Sequence, residues 1–301
     1  VGEAFTVPPA LMKISIDNQY ALLAFRDVDL LRIAISLLGL SASGLDYVDE
    51  LSNYLTRLDE IAKIGVFVRY VKAAGYRIMK EGKVKAGYPL IDTSTFDKIE
   101  AKDEDYSYLV HDPRLSIKKH LVPSLGKLLV IRRTDVYASM RVTAIASEKP
   151  ITGNVWVPVE VGELNLVDGK VINSFDVSKL LALWLNSTFG ILGLLASREE
   201  TRGAWCEWKL SRIKSLRVLN PCELNWHSAK MLLDLWPELS KLKWNRVYEQ
   251  LREAIQKPNH PRRILDRTLV KAVTGRDIDE KELETLYEKL KKELTLLRSI
   301  M

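Results

Sequence analysis

The sequence has too few cysteines to be held together by disulfide bonds. Its 301 residues include only Cys206 and Cys222, whereas small disulfide-stabilised scaffolds are dense in cysteine. With 15 Gly and 11 Pro the chain is also too poor in these residues to be collagen-like or of low complexity. Its 47% hydrophobic and 28% charged residues are enough to build a buried core under a solvated surface. We therefore expect a globular protein of a reducing, cytoplasmic compartment.

Long apolar runs are missing as well. The longest, residues 180–196, is interrupted by Asn186, Ser187 and Thr188 and is shorter than the roughly 20 residues of a membrane-spanning helix. The chain begins at Val1 and shows no basic segment or cleavage-site pattern of a signal peptide. We expect no contact with a membrane, and we interpret the chain as a piece of a longer protein.

The sequence motifs of common catalytic centres are absent. Residues 39–44 have the outer glycine spacing of a phosphate-binding loop, but Leu45 stands where the loop needs its lysine. The four His and two Cys are scattered, without the close pairs of a zinc site. No Ser lies in a G-x-S-x-G turn. We predict no catalytic residue, no bound cofactor and no metal ligand in this chain.

Positive charge is concentrated in the middle of the chain. The formal net charge is +6, and residues 114–141 hold seven basic residues against one acid, Asp135. Clustered Lys and Arg neutralise phosphates and release their counterions, which is the sequence-independent part of nucleic-acid affinity. The cluster favours nucleic acid as a partner, with a solvated basic face as the alternative.

Hydrophobic periodicity predicts helices at both ends of the chain and strands between them. Helical spacing extends over residues 22–40 and 45–64, short strands and turns are expected over 76–101, and β-branched or alternating residues fill 127–145 and 154–161. An Asp168-Gly169 pair signals a hairpin turn. Residues 178–197 form an apolar helix that we expect to be buried against the sheet.

Helix-forming residues dominate the end of the chain. After Asn220-Pro221 the pattern predicts helices over 224–244 and 244–256, and then a helix pair with many opposite charges over 262–273 and 280–300. The whole chain is thus predicted to be α+β, with a β-rich central domain, a buried helix and a helical C-terminal module. The expected segments are residues 1–65 (helical, leading from a further domain), 66–221 (mixed α/β) and 222–301 (helical).

Two segments point to a family. Residues 183–190 (LWLNSTFG) and 198–205 (REETRGAW), with Lys209, resemble the recognition half of amino-group adenine DNA methyltransferases of restriction-modification and phage-defence systems. The similarity is specific over 183–209 and diffuse over most of the chain after residue 60. The diffuse part comprises possible strand pairs at 128–133, 142–145 and 154–159, closing helices at 265–269 and 286–290, and the start of the recognition region at 62–65.

The chain departs from that family in its catalytic half. The family's S-adenosylmethionine loop and its Asn-Pro-Pro-aromatic motif are both absent, and in the nearest string Cys222 and Glu223 replace the second Pro and the aromatic residue. We interpret that string, residues 220–223, as a helix boundary set by Pro221. The resemblance therefore implies a recognition part, with methyl transfer and S-adenosylmethionine expected in a separate domain or subunit.

A recognition domain must hold the phosphates of duplex DNA and contact some base edges. An Arg side chain can contact a phosphate or a base edge. If Arg132 and Arg133 lie on one strand, their side chains point to opposite faces, so at most one of them faces DNA. Asn154 and Trp156 are expected to share a strand face, with core packing as the alternative for Trp156. The candidate DNA-binding residues are Lys118, Lys119, Arg132, Arg133, Arg141, Asn154, Trp156, Arg198, Arg202 and Lys209.

Some of these residues have an equally good structural interpretation. Arg198 and Arg202 could pair with neighbouring acids and so build the fold instead of contacting DNA. Trp205 and Trp208 are three residues apart on a possible helix, which favours packing for both.

The sequence leaves three functions open. The first is the target-recognition portion of an adenine-specific DNA methyltransferase or restriction-modification enzyme, with double-stranded DNA and a methyltransferase domain as partners. The second is a protein-interaction module whose basic surface contacts an acidic partner. The third is a metal-dependent nuclease that uses Glu100 and Lys102 behind Asp92 or Asp97, a triplet that in so charged a stretch is more often an exposed loop.

Overall fold

The computed structural model describes residues 25–299 except 41–42, 67–74, 81–86, 94, 116–122 and 201–204. The helices described are α1 (Val28–Leu37), α2 (Asp46–Asn53), α3 (Leu58–Ile61), α4 (Ser174–Asn186), α5 (Thr188–Ala196), α6 (Leu210–Lys214), α7 (Trp226–Leu233), α8 (Trp236–Leu239), α9 (Val247–Gln256), α10 (Pro261–Thr274) and α11 (Glu280–Ser299). The strands described are β1 (Leu55–Arg57), β2 (Ala62–Ile64), β3 (Tyr76–Lys80), β4 (Tyr88–Ile91), β5 (Ser107–His111), β6 (Gly126–Ile131), β7 (Arg133–Asp135), β8 (Ala144–Gly153), β9 (Trp156–Val161), β10 (Leu164–Asn165), β11 (Val171–Ile172), β12 (Glu199–Glu200), β13 (Trp205–Glu207) and β14 (Arg217–Leu219). The fold is α+β, as predicted.

A seven-stranded sheet lies at the centre, in the order β2-β9-β6-β8-β4-β5-β3. Neighbouring strands are antiparallel except β4 and β8, which are parallel. The register of β6 against β8 shifts between Gly126 and Leu128. A Cβ atom at Gly126 would lie 2.3 Å from the carbonyl oxygen of Val159, so only glycine allows this close strand approach. Strands are confirmed in each of the ranges 76–101, 127–145 and 154–161, but residues 136–143 of the second range form a turn between β7 and β8, and residues 81–86 and 94 of the first lie outside the described residues.

The apolar segment after the sheet is buried as predicted, but it is not one helix. Helices α4 and α5 meet at Ser187 with a bend of 73°, and α4 packs on β6, β8 and β9. The Asn186 side chain accepts a hydrogen bond from the Thr143 N–H and donates to the Ala144 carbonyl, while the Ser187 hydroxyl caps α5 by accepting from the Gly190 N–H. These polar side chains, which interrupt the apolar run in the sequence, therefore set the bend.

The helix predicted over residues 45–64 is wrong beyond Asn53. The chain there forms β1, the single turn α3 and β2. Strand β1 pairs with β14 and β2 pairs with β9, both antiparallel. The buried side chains of Leu55 and Leu58 fit helical spacing, but pairing with distant strands outweighs that local preference.

The helical C-terminal end of the chain matches its prediction closely. Pro261 opens α10 after His260, and Gly275 ends it in the left-handed region at φ +73°. Asp279 begins α11 by accepting hydrogen bonds from the N–H groups of Lys281 and Glu282. The segment 224–256 holds three helices, α7, α8 and α9, where two were predicted.

Two smaller turn predictions are also confirmed. The Asp168-Gly169 pair joins β10 to β11, with Gly169 at φ +82°. Asn220 caps a short 3₁₀ helix, Pro221–Glu223, by accepting a hydrogen bond from the Cys222 N–H. This string is therefore an element boundary, as predicted.

One hydrophobic cluster includes residues from all three predicted segments, among them Leu31 in α1, Trp184 in α4 and Leu265 in α10. The boundaries at residues 65 and 221 stay predictions. Among the described residues no single helix is long and apolar enough to cross a membrane; α4 and α5 satisfy that test only as a bent pair.

Candidate nucleic-acid interface

The family-like segment 198–209 builds a small three-stranded sheet with a strand from the basic region. Its order is β12-β13-β7, and Trp205, Cys206 and Glu207 lie opposite Asp135, Thr134 and Arg133. Thr134 and Cys206 are buried, so strand alternation turns the other residues of this register outward. The small sheet, defined as β12, β13 and β7, therefore presents one face to solvent.

Arg133 and Trp205 form the exposed pair on that face. The Arg133 guanidinium carbon lies 5.1 Å from the centroid of the Trp205 ring, and Trp205 is 40% exposed. An Arg over an indole ring keeps N–H donors available for phosphate oxygens or for the acceptor edge of guanine. The prediction that Trp205 packs on a helix is wrong, because β13 pairs with β7 and directs the ring outward.

Arg132 is largely covered by its partner. Its guanidinium pairs with the Glu207 carboxylate, and the two side chains are only 12% and 26% exposed. Arg133 is exposed, so of these neighbouring arginines only one faces solvent fully, as the alternation argument anticipates. Arg132 is best suited to holding β13 against the end of β6.

The remaining described cations of the family-like segment, Lys209 and Arg198, differ in their exposure to solvent. Lys209 is 69% exposed along its side chain and lies 2.7 Å from the Glu199 carboxylate. Arg198 is buried: its Nη1 donates to the Leu195 carbonyl at 2.6 Å, and its guanidinium lies over the Phe25 ring. The geometry favours the structural alternative for Arg198 and leaves Lys209 accessible.

Two candidates from the main sheet are not placed on this face. Trp156 is fully buried and its Nε1 donates to the Thr93 carbonyl at 2.8 Å, so the suggestion that it stacks on a base is wrong and its core-packing alternative is right. Asn154 precedes β9 instead of sharing a strand face with Trp156, and its Nδ2 donates to Asp92 at 3.3 Å. Its amide is therefore engaged by a carboxylate.

Arg141 lies at the far end of the turn that follows β7. Its Nη1 donates to the Trp244 carbonyl at 3.5 Å, and its Nε is buried without a hydrogen-bond partner among the described residues. The other three candidates, Lys118, Lys119 and Arg202, lie outside the described residues.

The small sheet is less basic than the sequence suggests. Arg133 lies in the sheet and Arg132 and Lys209 flank its strands, but the same strands carry three carboxylates, Glu199, Glu207 and Asp135. The Asp135 carboxylate accepts two backbone N–H groups of the following turn. Arg133 contacts an aromatic ring, whereas Arg132 and Lys209 each pair with a carboxylate.

The residues of the nuclease hypothesis do not form an open acidic centre. The Glu100 carboxylate accepts a hydrogen bond from Trp236 Nε1 at 2.8 Å, and the Lys102 N–H donates to Asp105. No group of three His, Cys, Asp or Glu side chains in the described part of the chain is arranged to hold a metal ion. The exposed-loop interpretation accounts for Lys102, which begins a 3₁₀ turn.

Similarity to known proteins is weak. No protein-family model matches the sequence, and no curated protein sequence is significantly similar to it. Among solved structures, the fold is similar to the type IIG restriction endonuclease BpuSI, with a TM-score of 0.44 and 11% sequence identity over 88% of this chain. The chain covers 34% of that endonuclease, about a third of its length. A similarity at this level assigns neither a family nor a function.

Proposed function

We propose that this chain is the target-recognition part of an adenine-specific DNA methyltransferase or restriction-modification enzyme, and that it binds double-stranded DNA across the small sheet. The observation that carries the proposal is the exposed Arg133–Trp205 pair. It joins the basic region of the sequence to the segment that resembles the family's recognition half. Neither segment forms this face alone, because β13 of the family-like segment pairs with β7 of the basic region.

In this proposal each group on the face has a separate task. Arg133 contacts a phosphate or the two acceptors of a guanine, with the Trp205 ring limiting its rotamers. Lys209 is an exposed phosphate contact that exchanges Glu199 for DNA. Arg132 with Glu207 keeps the strands in register. Methyl transfer and S-adenosylmethionine belong to a separate domain or subunit, and no residue of this chain is assigned to either.

The test is fluorescence-anisotropy binding to duplex DNA at several salt concentrations, first to a random pool and then to selected sequences. We expect affinity to fall with salt, since cations on the protein replace counterions on DNA. Arg133→Ala should weaken binding and lower the salt slope by about 1 if Arg133 contacts a phosphate. If it reads a guanine, the loss is about 1–3 kcal/mol and specific to one base position.

A matched control is available on α1. Arg32→Ala removes another exposed arginine, which lies 3.9 Å from Asp29 and outside the small sheet. It changes the net charge equally, so it should leave affinity nearly unchanged if binding is local. Equal losses in the two variants would mean that only the overall charge matters, and would contradict the assignment of the interface.

A protein-interaction module is the second candidate function. The β10–β11 hairpin exposes Val167 and Val171, which are 65% and 58% exposed, and the small sheet carries carboxylates beside its cations. Scattered exposed apolar residues are ordinary, but two on one hairpin are a contact that a protein partner could cover. Absence of binding to any duplex at low salt, with or without an added methyltransferase domain, would favour this candidate.

A further inference from the structure

A cavity of about 420 Å³ lies between α1, the segment that leads into α2, and α11. The residues that line it are outside the small sheet. Ile33 and Leu286 are buried and Leu45 is half-buried, so the inner part of the cavity is apolar. Sites for small molecules in proteins are clefts of this size, with mostly apolar walls and a few polar groups that fix the orientation of the ligand.

The two sides of the cavity are held in place by polar contacts. On the side of α2, the Asp49 carboxylate accepts hydrogen bonds from the Ser43 N–H at 2.6 Å and from the Ser36 hydroxyl at 2.8 Å. On the side of α11, Lys289 pairs with Asp29 of α1. The cavity is therefore formed before a ligand enters it, and binding does not have to order its walls.

Tyr47 supplies a hydrogen-bond donor to the cavity wall. Its ring packs edge-on against Phe189, with centroids 6.2 Å apart and planes at 69°. The Tyr47 hydroxyl makes no hydrogen bond within the described part of the chain. Burial raises the pKa of Tyr47, and the carboxylate of Glu282, another lining residue, raises it further. The hydroxyl thus stays protonated and can donate to an acceptor on a ligand.

The charges at the rim of the cavity compensate one another. Lys289 is paired with Asp29, and Arg32 lies 3.9 Å from the same carboxylate. Lys281 and Glu282 are neighbouring exposed residues of opposite charge. A charged group that left water for the apolar interior would lose its hydration without gaining a buried counterion. The cavity therefore favours an occupant whose buried part is uncharged.

We infer that this cavity binds an uncharged, largely apolar small molecule with one hydrogen-bond acceptor, such as a ketone, ester or amide carbonyl. The Tyr47 hydroxyl donates to the carbonyl oxygen, and the apolar part of the molecule lies against Ile33 and Leu286. Along α11 the lining extends from Lys281 to Lys289, about 12 Å of helix, which limits the length of the ligand. The inference does not rest on the proposed DNA binding, and a negative result for one leaves the other standing.

The experiment uses three probes of nearly the same shape: benzylacetone, which has a ketone; isopentylbenzene, which has no acceptor; and hydrocinnamate, which is charged. NMR titration of the full chain measures their affinities. We expect Tyr47→Phe to weaken benzylacetone binding about fivefold, the usual size of one net hydrogen bond. This variant keeps the ring and should leave the affinity for isopentylbenzene unchanged. Hydrocinnamate should bind about tenfold more weakly than benzylacetone, because its carboxylate must lose water.

Two matched substitutions on α11 show where the probes bind. Thr285 lines the cavity and Thr295 does not. Both are exposed, and their hydroxyls donate to the carbonyl four residues earlier, at Lys281 and Lys291 respectively. Thr285→Trp fills the entrance and should abolish binding of benzylacetone, whereas Thr295→Trp should leave it unchanged. Because a bound ligand stabilises the folded state, benzylacetone should raise the Tm of Thr295→Trp but not that of Thr285→Trp.

Four results would overturn the inference. The first is no binding of any probe at millimolar concentration, which would mean that the cavity holds only water. The second is benzylacetone binding that Tyr47→Phe leaves unaltered, and the third is hydrocinnamate binding as tightly as benzylacetone. The fourth is an equal effect of Thr285→Trp and Thr295→Trp on binding. Should Thr285→Trp fail to fold in thermal unfolding without ligand, the comparison of Tyr47→Phe with the original chain still decides.

Discussion

At the scale of single residues, two tryptophans three positions apart have opposite environments. Trp208 is fully buried, and its Nε1 donates to the Leu194 carbonyl at 2.7 Å. Trp205 is 40% exposed on the outward face of β13. The pair allows packing and binding to be separated with two substitutions of the same kind.

Trp208→Ala should destabilise the protein by about 3–5 kcal/mol, because it leaves a large cavity and an unsatisfied carbonyl. Trp205→Ala should cost well under 1 kcal/mol in stability but weaken DNA binding. Urea unfolding followed by circular dichroism gives the first quantity, and anisotropy gives the second. A large loss of stability in Trp205→Ala would mean that its ring is a packing element after all.

His260 couples stability to pH. Burial first, and then the nearby Arg262, lower the pKa of His260 from 6.5 to about 4. Since the unfolded chain binds this proton more readily, stability is fully present above pH 6.5 and is lost as pH falls through 6.5 toward 4. We expect a loss of about 1 kcal/mol, which is less than the full free energy of such a pKa shift, because the ring is only partly buried and solvent screens it.

The substitution that tests it is His260→Asn. Asn can still cap α10, as the His260 Nδ1 does by accepting from the Arg262 N–H, but it does not titrate. Unfolding free energies measured from pH 7 to pH 4 should fall less steeply in the variant than in the original chain. If the unfolding free energies of the two proteins fall equally with pH, His260 is not a cause of the pH dependence.

At the scale of elements, the bend between α4 and α5 depends on a glycine that only the tertiary structure distinguishes from its neighbour. A Cβ atom at Gly190 would lie 2.2 Å from the Trp184 carbonyl oxygen, whereas one at Gly193 would have no atom within 4 Å. Both glycines lie in α5 and both are buried.

Gly190→Ala should therefore destabilise the fold by about 1–3 kcal/mol, since backbone at the bend must move. Gly193→Ala should be neutral or stabilising by about 0.5–1 kcal/mol, because alanine is the better helix former and has room. Thermal or urea unfolding of the two variants measures the difference. Similar effects at both positions would contradict the close approach at the bend.

Between elements, a buried polar network joins α5, α10 and α11. The Asp266 carboxylate accepts hydrogen bonds from the Thr188 N–H at 2.8 Å and from the Tyr287 hydroxyl at 2.9 Å. Arg262 donates to the Asn186 carbonyl and to Gln250. Burial raises the pKa of Asp266, and Arg262 opposes that shift. The network therefore balances one buried cation against one buried carboxyl group.

Asp266→Ala should cost about 3–5 kcal/mol, because it leaves Arg262 buried without its countercharge. A matched control is Asp277→Ala, which removes an exposed carboxylate 2.8 Å from Lys271 and should change stability by less than about 1 kcal/mol. Denaturant unfolding of both variants tests the prediction. A mild effect at Asp266 would mean that Arg262 is satisfied by its carbonyl and amide partners alone.

At the scale of the whole molecule, the predicted boundary at residue 221 does not coincide with a gap in the core. The hydrophobic cluster includes residues on both sides of it, and the Asp266–Thr188 and Arg262–Asn186 hydrogen bonds cross it. Segments that share a core usually unfold together.

We therefore expect one cooperative unfolding transition for the full chain. A fragment that ends at residue 221 should lack a cooperative transition, because α4 and α5 lose the cover of α7 and α10. Calorimetry of the full chain and circular dichroism of the fragment are the measurements. Two transitions, or a stable fragment, would instead support independent domains.

The sequence by itself determined the class of the fold, the strands over 127–161, the buried apolar segment and the capped C-terminal helices. These features depend on local patterns: β-branched alternation, the polar interruption at Asn186 and Ser187, and end signals such as Pro261 and Gly275. It also singled out Arg133. It missed Trp205, whose exposure follows from the pairing of β13 with β7 and not from its spacing to Trp208.

Only the tertiary structure decided which basic and aromatic residues reach solvent. Trp156 is in the core, Arg198 is buried, Arg132 is covered by Glu207, and Trp205 is exposed, and the local sequence around each residue does not show which environment it has. The helix expected after Asn53 became strands for the same reason, which is that partners distant in the chain compete with local preference. Exposure and strand pairing depend on contacts between residues far apart in sequence, and no local pattern contains that information.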